Sequence, residues 1–131
     1  MTKRLLVIED NATTREFLAY LLRSFGYEVI CAVDGVQGVE MATRLLPDAI
    51  VCDMHLPKLD GFGVLRELKT NPLTAKIPMI AVTALAMVGD RERMLAAGFD
   101  GYVPKPVDPE RFVPDILQYV PKTGGSPERK Q

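Results

Sequence analysis

The sequence predicts an α/β fold, a doubly wound sheet of five parallel strands with helices on both faces. Strand-like and helix-like segments alternate five times along the 131 residues. The strand-like segments are short apolar runs without helical spacing, as in 49–52, which is typical of strands buried on both faces. Strict alternation favours a parallel sheet with right-handed connections, and five strands in this length fit the flavodoxin-like order 2-1-3-4-5.

Residues that begin or end helices set the predicted boundaries. Gly26 and Gly98 end the first and fourth helices, and Pro47 ends the second. Asp108 caps the last helix, with Pro109 at its first position. The predicted strands cover 4–9, 28–33, 48–53, 77–83 and 102–104, and the predicted helices cover 12–25, 35–46, 61–70, 87–97 and the residues from 109 onward.

The first predicted helix carries an apolar face that we expect to pack on the sheet. Its members recur at the spacing of one helical face and are Phe17, Leu18, Leu21, Leu22 and Phe25.

The last helix contains Pro114 in its second turn, where a proline removes an internal hydrogen bond. Either the helix bends at Pro114, or Pro114 begins a separate helix. We favour the bend, because Phe112, Ile116 and Val120 keep one apolar face across the proline.

Composition indicates one ordinary globular domain, with an apolar fraction of 47% and a charged fraction of 25%. The net charge of −1 and the lack of a basic block in the folded part give no support for nucleic-acid binding.

No apolar run approaches the roughly 18 residues of a spanning helix, and the N-terminus lacks a signal peptide's apolar stretch. We therefore expect no membrane insertion and a cytoplasmic location, with Cys31 and Cys52 as reduced core residues. Residues 1–121 are expected to form the domain, and polar residues 122–131 a flexible tail.

Carboxylates follow two predicted strands that lie side by side in this topology. Glu9 and Asp10 come at the end of the first strand, and Asp53 ends the third. Since a carboxylate is costly to bury, we expect Asp53 where its strand emerges from the sheet. Three like charges held together need a proton or a cation, and hard oxygen ligands favour Mg²⁺ or Mn²⁺.

Two further side chains reach the same edge of the predicted sheet. Thr83 ends the fourth strand and can donate a hydrogen bond, and Lys105 follows the fifth strand as a compact positive charge. A metal and an ammonium group neutralise phosphoryl oxygens, and the hydroxyl donates to one of them. The set indicates a phosphoryl site in which Asp53 is the nucleophile.

These residues resemble the receiver domains of two-component response regulators, the CheY-like family, over residues 3–120. The resemblance is carried by Glu9-Asp10, by Asp53 within DMHLPKLDG, by Thr83-Ala84, and by Lys105-Pro106 with Tyr102 three residues before the lysine. It implies a phosphoryl-accepting signalling protein, not an enzyme, whose partners are a histidine kinase or a histidine-phosphotransfer protein. A downstream protein would bind a face that begins at Leu85 and ends at Val120.

The resemblance also implies a role for each site residue. Asp53 would accept the phosphoryl group and bind Mg²⁺ together with Asp10 and the backbone carbonyl of His55, while Glu9 would help through a water. Lys105 would contact the phosphoryl group, and Thr83 with Tyr102 would form the conformational switch. The loop must turn Lys105 back into the crevice, and a cis bond to Pro106 makes such a turn.

The sequence departs from the usual family pattern at the two positions expected to tune the phosphoryl lifetime. His55 lies two residues after the phosphoacceptor, and Leu85, two residues after Thr83, is apolar where many relatives are polar. We expect the His55 side chain to shield the phosphoryl group from water and lengthen its life. A neutral imidazole could instead position water and shorten it, and a solvated loop histidine would do neither.

Other classes of protein fit the residues less well. A phosphatase of the haloacid-dehalogenase type also uses an aspartate and Mg²⁺, but it needs a second aspartate where this chain has His55. A flavodoxin-like mononucleotide carrier needs a donor-rich phosphate loop after the first strand, and here that loop is acidic. A scaffold without phosphorylation is disfavoured because all the functional positions are intact. An isolated receiver of a larger regulator or hybrid kinase stays open beside a single-domain regulator.

Overall fold

The fold is a five-stranded parallel sheet with helices on both faces, and the computed structural model describes residues 3–84 and 89–121 of it. The strands are β1 (Arg4–Ile8), β2 (Glu28–Ala32), β3 (Ala49–Asp53), β4 (Met79–Thr83) and β5 (Gly101–Pro104), and the helices are α1 (Ala12–Arg23), α2 (Gly35–Leu45), α3 (Gly61–Lys69), α4 (Asp90–Ala97) and α5 (Pro109–Leu117). The strand order β2-β1-β3-β4-β5 confirms the predicted topology.

The sheet separates two hydrophobic clusters. On one face α1 and α5 pack against alternate strand residues, with Leu22 and Phe112 completely buried. On the other face α2, α3 and α4 cover the remaining strand residues, with Leu68 and Met94 among the buried side chains. Because both faces are covered, the central strands are continuous apolar runs, which is the pattern that the sequence showed.

About half of the element boundaries coincide with the predicted ones, and most of the others differ by one or two residues. β1 ends at Ile8, so Glu9 follows the strand and is not its last member. β4 begins at Met79, because Pro78 has no N–H to give to the ladder. The predicted start of α4 at 87 lies outside the described residues, and so do Leu85 and the predicted tail at 122–131.

Two expectations about the core are wrong. Phe17 and Phe25 are 38% and 59% exposed, whereas Leu18 and Leu22 are buried. Phe25 lies beyond the end of α1, so the helical spacing no longer places it on the buried face. Cys31 is only half-buried, because β2 is an edge strand and is covered less completely than the central strands.

The last helix is capped as predicted and contains its proline. Asp108 accepts a hydrogen bond from the Glu110 backbone N–H at 2.9 Å, and Pro109 is the first helical residue. The helix runs through Pro114, so the interpretation in which Pro114 begins a separate helix is wrong. The backbone carbonyl that Pro114 cannot bond is that of Glu110, which is exposed to water. A bend at Pro114 stays a prediction.

Two aspartates join neighbouring strands at the edge where the strands begin. The Asp48 carboxylate accepts from the Arg4 backbone N–H at 2.8 Å, while the Asp48 N–H donates to the Arg4 carbonyl at 2.7 Å. Asp100 makes the same two contacts with Met79, both at 2.8 Å. These pairs fix the start of β3 against β1 and the start of β5 against β4.

In the part of the chain that the structure describes, no helix has the length and apolar character needed to cross a membrane.

Candidate functional site

The three predicted carboxylates meet at the carboxyl edge of the sheet. Glu9 follows β1 and Asp53 ends β3, and these two strands are neighbours. One carboxylate oxygen from each of Glu9, Asp10 and Asp53 lies within 4.8 Å of the other two. Glu9 and Asp53 are 1% and 4% exposed, whereas Asp10 faces solvent. The cluster therefore combines two buried anions with one exposed anion, in the crevice that the topology predicted.

Asp53 ends its strand as expected, but its carboxylate is buried. The predicted cost of burying it is offset by two donors. Lys105 Nζ lies 3.2 Å from Asp53 Oδ1, and the His55 backbone N–H donates to the same oxygen at 3.4 Å. One donor comes from the loop directly after β3 and the other from the residue that follows β5, so a carboxylate at a strand end can be buried with partners.

Glu9 is the least satisfied member of the cluster. Its Oε2 accepts from the Asn11 backbone N–H at 3.1 Å. Among the residues that the structure describes, its Oε1 is buried without a hydrogen-bond partner, and Lys105 Nζ is 3.5 Å from it. Burial raises the pKa of Glu9, as does the neighbouring Asp53 charge, while the Asn11 N–H and the Lys105 ammonium act in the opposite direction. A buried carboxylate oxygen that faces other carboxylates is a position that favours a bound cation or a proton.

Lys105 is placed between the two buried carboxylates by its backbone. It follows β5, and its N–H donates to the Thr83 carbonyl at 2.8 Å. The peptide bond between Lys105 and Pro106 is cis, which confirms the prediction. The half-buried Lys105 side chain then forms ion pairs with both Glu9 and Asp53.

The two residues of the predicted switch lie on the neighbouring strands. Thr83 is the last residue of β4 and is completely buried. Asp53 pairs with Val82 in the register between β3 and β4, so Thr83 lies one residue beyond the level of Asp53. Tyr102 on β5 is half-buried and packs against the cluster on the α2, α3 and α4 side. Thr83 and Tyr102 therefore lie on two adjacent strands, with Thr83 one residue beyond the level of Asp53 and Tyr102 paired with Ala81.

His55 lies on an exposed loop beside the cluster. The loop, with Asp10 and Phe62, lines an open cavity of about 440 Å³ next to the carboxylates. The His55 side chain is solvent-exposed, as expected for a residue that could lean over a group bound there. The cavity leaves room for a metal with its waters or for a phosphoryl group.

The structure also shows how this loop is held, which the sequence analysis did not anticipate. Lys58 has a left-handed backbone (φ 71°) and its Nζ lies 3.6 Å from Asp34 Oδ2. The Gly35 N–H donates to the Pro57 carbonyl at 3.4 Å. A Cβ on Gly35 would lie 1.8 Å from the Leu59 carbonyl oxygen, so only glycine permits this approach. The Asp-Gly pair that begins α2 was the available signal, but it was interpreted as a helix start alone.

Arg15 is a second residue that sequence reasoning missed. Its Nη1 donates to the Glu9 carbonyl at 2.9 Å and is 3.4 Å from the Asp10 carbonyl. Asn11 caps α1, because its side chain accepts from the Thr14 N–H at 2.9 Å. The peptide groups of the acidic pair are therefore held by the first turns of α1.

The donor set fits a hard divalent cation. All the ligand atoms that the cluster offers are carboxylate oxygens, which Mg²⁺ prefers. Glu9 Oε1, buried and without a hydrogen-bond partner, is available to a cation or to one of its waters. The exposed Asp10 and the open cavity give access from solvent.

Comparisons with known proteins agree with this geometry. Residues 5–117 match the family model of the response regulator receiver domain. The chain is 37% identical to the polar-differentiation response regulator DivK of Brucella ovis over 120 residues, which cover 92% of this chain and 98% of DivK.

Solved structures agree in the same way. The receiver domain of the sensor histidine kinase PA1611 of Pseudomonas aeruginosa, which has a magnesium ion coordinated in its active-site cleft, is 36% identical. It aligns with a TM-score of 0.82 over 91% of this chain and 98% of that one. The chemotaxis protein CheY4 of Vibrio cholerae shares the fold, with a TM-score of 0.85 at 22% identity over 92% of this chain and 100% of that one. The chain belongs to the receiver-domain family of two-component response regulators.

Proposed function

We propose that Asp53 accepts a phosphoryl group from a phosphohistidine of a histidine kinase or of a histidine-phosphotransfer protein. Family membership supports this class of donor. An Asp53 oxygen forms a bond to phosphorus while the bond between phosphorus and the imidazole nitrogen breaks, and the imidazole leaves. The chain then carries the signal as an acyl phosphate, so we assign it as a signalling protein and not as an enzyme with turnover.

We assign the cation of the site as Mg²⁺, with Mn²⁺ as an alternative. Asp10, Asp53 and the backbone carbonyl of His55 would hold it, and Glu9 would contact it through a water. The oxygen-only donor set and the unpartnered Glu9 Oε1 support this assignment. When bound, the cation would neutralise charge on the carboxylates and on the phosphoryl oxygens.

The neighbouring side chains then act on the phosphoryl group directly. The Lys105 ammonium, already 3.2 Å from Asp53 Oδ1, attracts a phosphoryl oxygen and compensates its charge. The Thr83 hydroxyl donates to a second oxygen. As Thr83 moves toward the phosphoryl group, Tyr102 turns inward into the space that Thr83 leaves. His55 and Leu85 are assigned as the residues that tune the lifetime of the phosphoryl group.

The output is a change in a protein-binding face. We place this face between Leu85 and Val120, which includes α4, β5 and α5. Residues 85–88 lie outside the described residues, so the face is defined here by its remaining part.

We assign residues 1–121 to the receiver domain. The free thiols Cys31 and Cys52 suit a reducing compartment, which favours the cytoplasm.

The single observation that carries this proposal is the meeting of the Glu9, Asp10 and Asp53 carboxylates with Lys105. The test incubates the full chain with Mg²⁺ and acetyl phosphate and measures its intact mass. We expect one phosphoryl group per chain, which is absent in Asp53→Asn and in EDTA. Asp115→Asn on α5, which is not a member of the carboxylate cluster, is the matched control and should be phosphorylated normally. An adduct that persists in Asp53→Asn would refute the assignment.

A further inference from the structure

Arg15 reaches back from α1 to the turn that carries the acidic pair. It is the fourth residue of the helix, and side chains on a helix lean toward its N-terminus. This direction brings Nη1 to 2.9 Å from the Glu9 carbonyl oxygen and 3.4 Å from the Asp10 carbonyl oxygen. One guanidinium nitrogen thus contacts two consecutive peptide groups, those of the residues whose side chains enter the site.

The contact is made to backbone oxygens and not to the acidic side chains. Within residues 3–84 and 89–121, Arg15 forms no ion pair with a carboxylate, and Lys105 is the cation that pairs with Glu9. Arg15 therefore leaves the carboxylates free to bind a cation while it restrains the chain to which they are attached. Asn11, which caps the helix and donates to Glu9 Oε2, restrains the same turn from its other end.

We propose that Arg15 is a positioning residue for the divalent cation of the site. By holding the peptide groups of Glu9 and Asp10, it directs both carboxylates into the crevice before the cation arrives. The affinity for Mg²⁺ is higher because less ordering has to accompany binding. This inference rests on the proposed function of the acidic cluster and assigns it a residue outside the set of metal ligands.

The sign of the effect separates positioning from simple electrostatics. A guanidinium charge beside the site repels a divalent cation, so if charge decided the outcome, removal of Arg15 would strengthen Mg²⁺ binding. If positioning decides it, removal weakens binding. Groups that orient metal ligands typically change metal affinity by about 10- to 100-fold. Because Arg15 holds peptide groups and not the ligand atoms, we expect about a 10-fold loss, at the lower end of that range.

Arg23 provides a matched control on the same helix. Its Nη2 donates to the Val29 carbonyl at 2.9 Å, a contact of the same chemistry and length as that of Arg15. Both arginines line one cavity between α1 and β2, but Val29 lies within β2, far from the strand end that precedes the acidic turn. Arg23→Gln therefore removes the same charge and the same kind of bond without touching the peptide groups of Glu9 and Asp10.

The experiment measures the Mg²⁺ dissociation constant of the full, unphosphorylated chain by calorimetric titration. Arg15→Gln should raise the Kd about 10-fold, whereas Arg23→Gln should stay within about twofold of wild type. Arg15→Lys, which can still donate to one carbonyl, should fall between them. In phosphorylation by acetyl phosphate, the Mg²⁺ concentration for half-maximal rate should rise by the same factor for Arg15→Gln. The rate at saturating Mg²⁺ should stay within about twofold of wild type. A misfolded variant would instead lose both Mg²⁺ binding and the rate at saturating Mg²⁺.

An Arg15→Gln variant with unchanged or tighter Mg²⁺ binding would overturn the inference and leave the proposed function intact. Equal losses in Arg15→Gln and Arg23→Gln would assign the effect to α1 as a whole and would also overturn it. A wild-type chain that neither binds Mg²⁺ nor becomes phosphorylated would refute the proposed function first, and this inference with it.

Discussion

Replacing Glu9 by glutamine should stabilise the protein at neutral pH when no divalent cation is bound. Burial raises the pKa of Glu9, and the Asp53 charge raises it further. An acid whose pKa is higher in the folded state binds its proton more tightly there, so stability increases as the pH falls through that raised pKa. Above the raised pKa this stabilisation is lost, and ionised Glu9 lowers the free energy of unfolding.

The size of the effect follows from the contacts of the two Glu9 oxygens. A glutamine keeps an acceptor for the Asn11 N–H and gives Asp53 an N–H donor in place of a negative charge. A hydrogen bond to a charged group contributes about 1.5 to 3 kcal/mol. Loss of the attraction to the half-buried Lys105 offsets part of this gain. We therefore expect a net gain of about 1 kcal/mol at pH 7, or about 3 to 5 °C in Tm for a domain of this size.

The assay is urea unfolding, followed by circular dichroism in EDTA, at several values between about pH 5 and 8. The gain in the free energy of unfolding that Glu9→Gln brings should be largest at the highest pH. It should shrink as the pH falls toward the usual glutamate pKa of 4.5. Glu67→Gln, an exposed residue on α3, is the control and should change stability by less than about 0.5 kcal/mol at every pH. Saturating Mg²⁺ should stabilise wild type more than the variant. A variant that is less stable at pH 7, or whose difference from wild type does not depend on pH, would refute the reasoning.

Three further predictions concern the loop, the phosphoryl lifetime and the switch. Gly35→Ala should lower the free energy of unfolding by about 1 to 3 kcal/mol, since its Cβ would meet the Leu59 carbonyl oxygen; urea unfolding measures this, and wild-type stability would contradict it. His55→Ala should speed the decay of phosphorylated Asp53, measured by intact mass over time, and a slower decay would mean that His55 positions water. Beryllofluoride with Mg²⁺ should shift the NMR signals of Tyr102, and unchanged signals would favour a fixed, half-buried ring.

The sequence predicted those features that depend on local chemistry and topology. Asp108 and Pro109 are enough to predict the start of α5. In the structure Asp108 caps this helix and Pro109 is its first residue. The approach of Glu9 to Asp53 required only that β1 and β3 be neighbours, which strict alternation implies. Lys105 was correctly placed because it directly follows a strand that ends at the same edge.

Features that depend on packing between distant segments were not predicted. Phe17 matched the apolar spacing of α1, but spacing does not tell which flank of a helix contacts the sheet. The burial of Asp53 depends on a lysine from a different strand, so its degree could not be derived from β3 alone. Arg15 was not singled out, because its partners are backbone carbonyls and leave no trace in side-chain patterns.

The paired contacts of Asp48 and Asp100 align two pairs of strands at the edge of the sheet opposite to the carboxylate cluster. A slip of one residue would turn every side chain of a strand to the other face, so some part of each strand must hold the register. For β3 against β1 and for β5 against β4, that part includes the beginning of the strand. The carboxylate cluster lies at the other end, and the side chain of His55 takes no part in these aligning contacts. Under the proposed function, exchange of His55 would change how long a signal lasts while these aligning contacts stay in place.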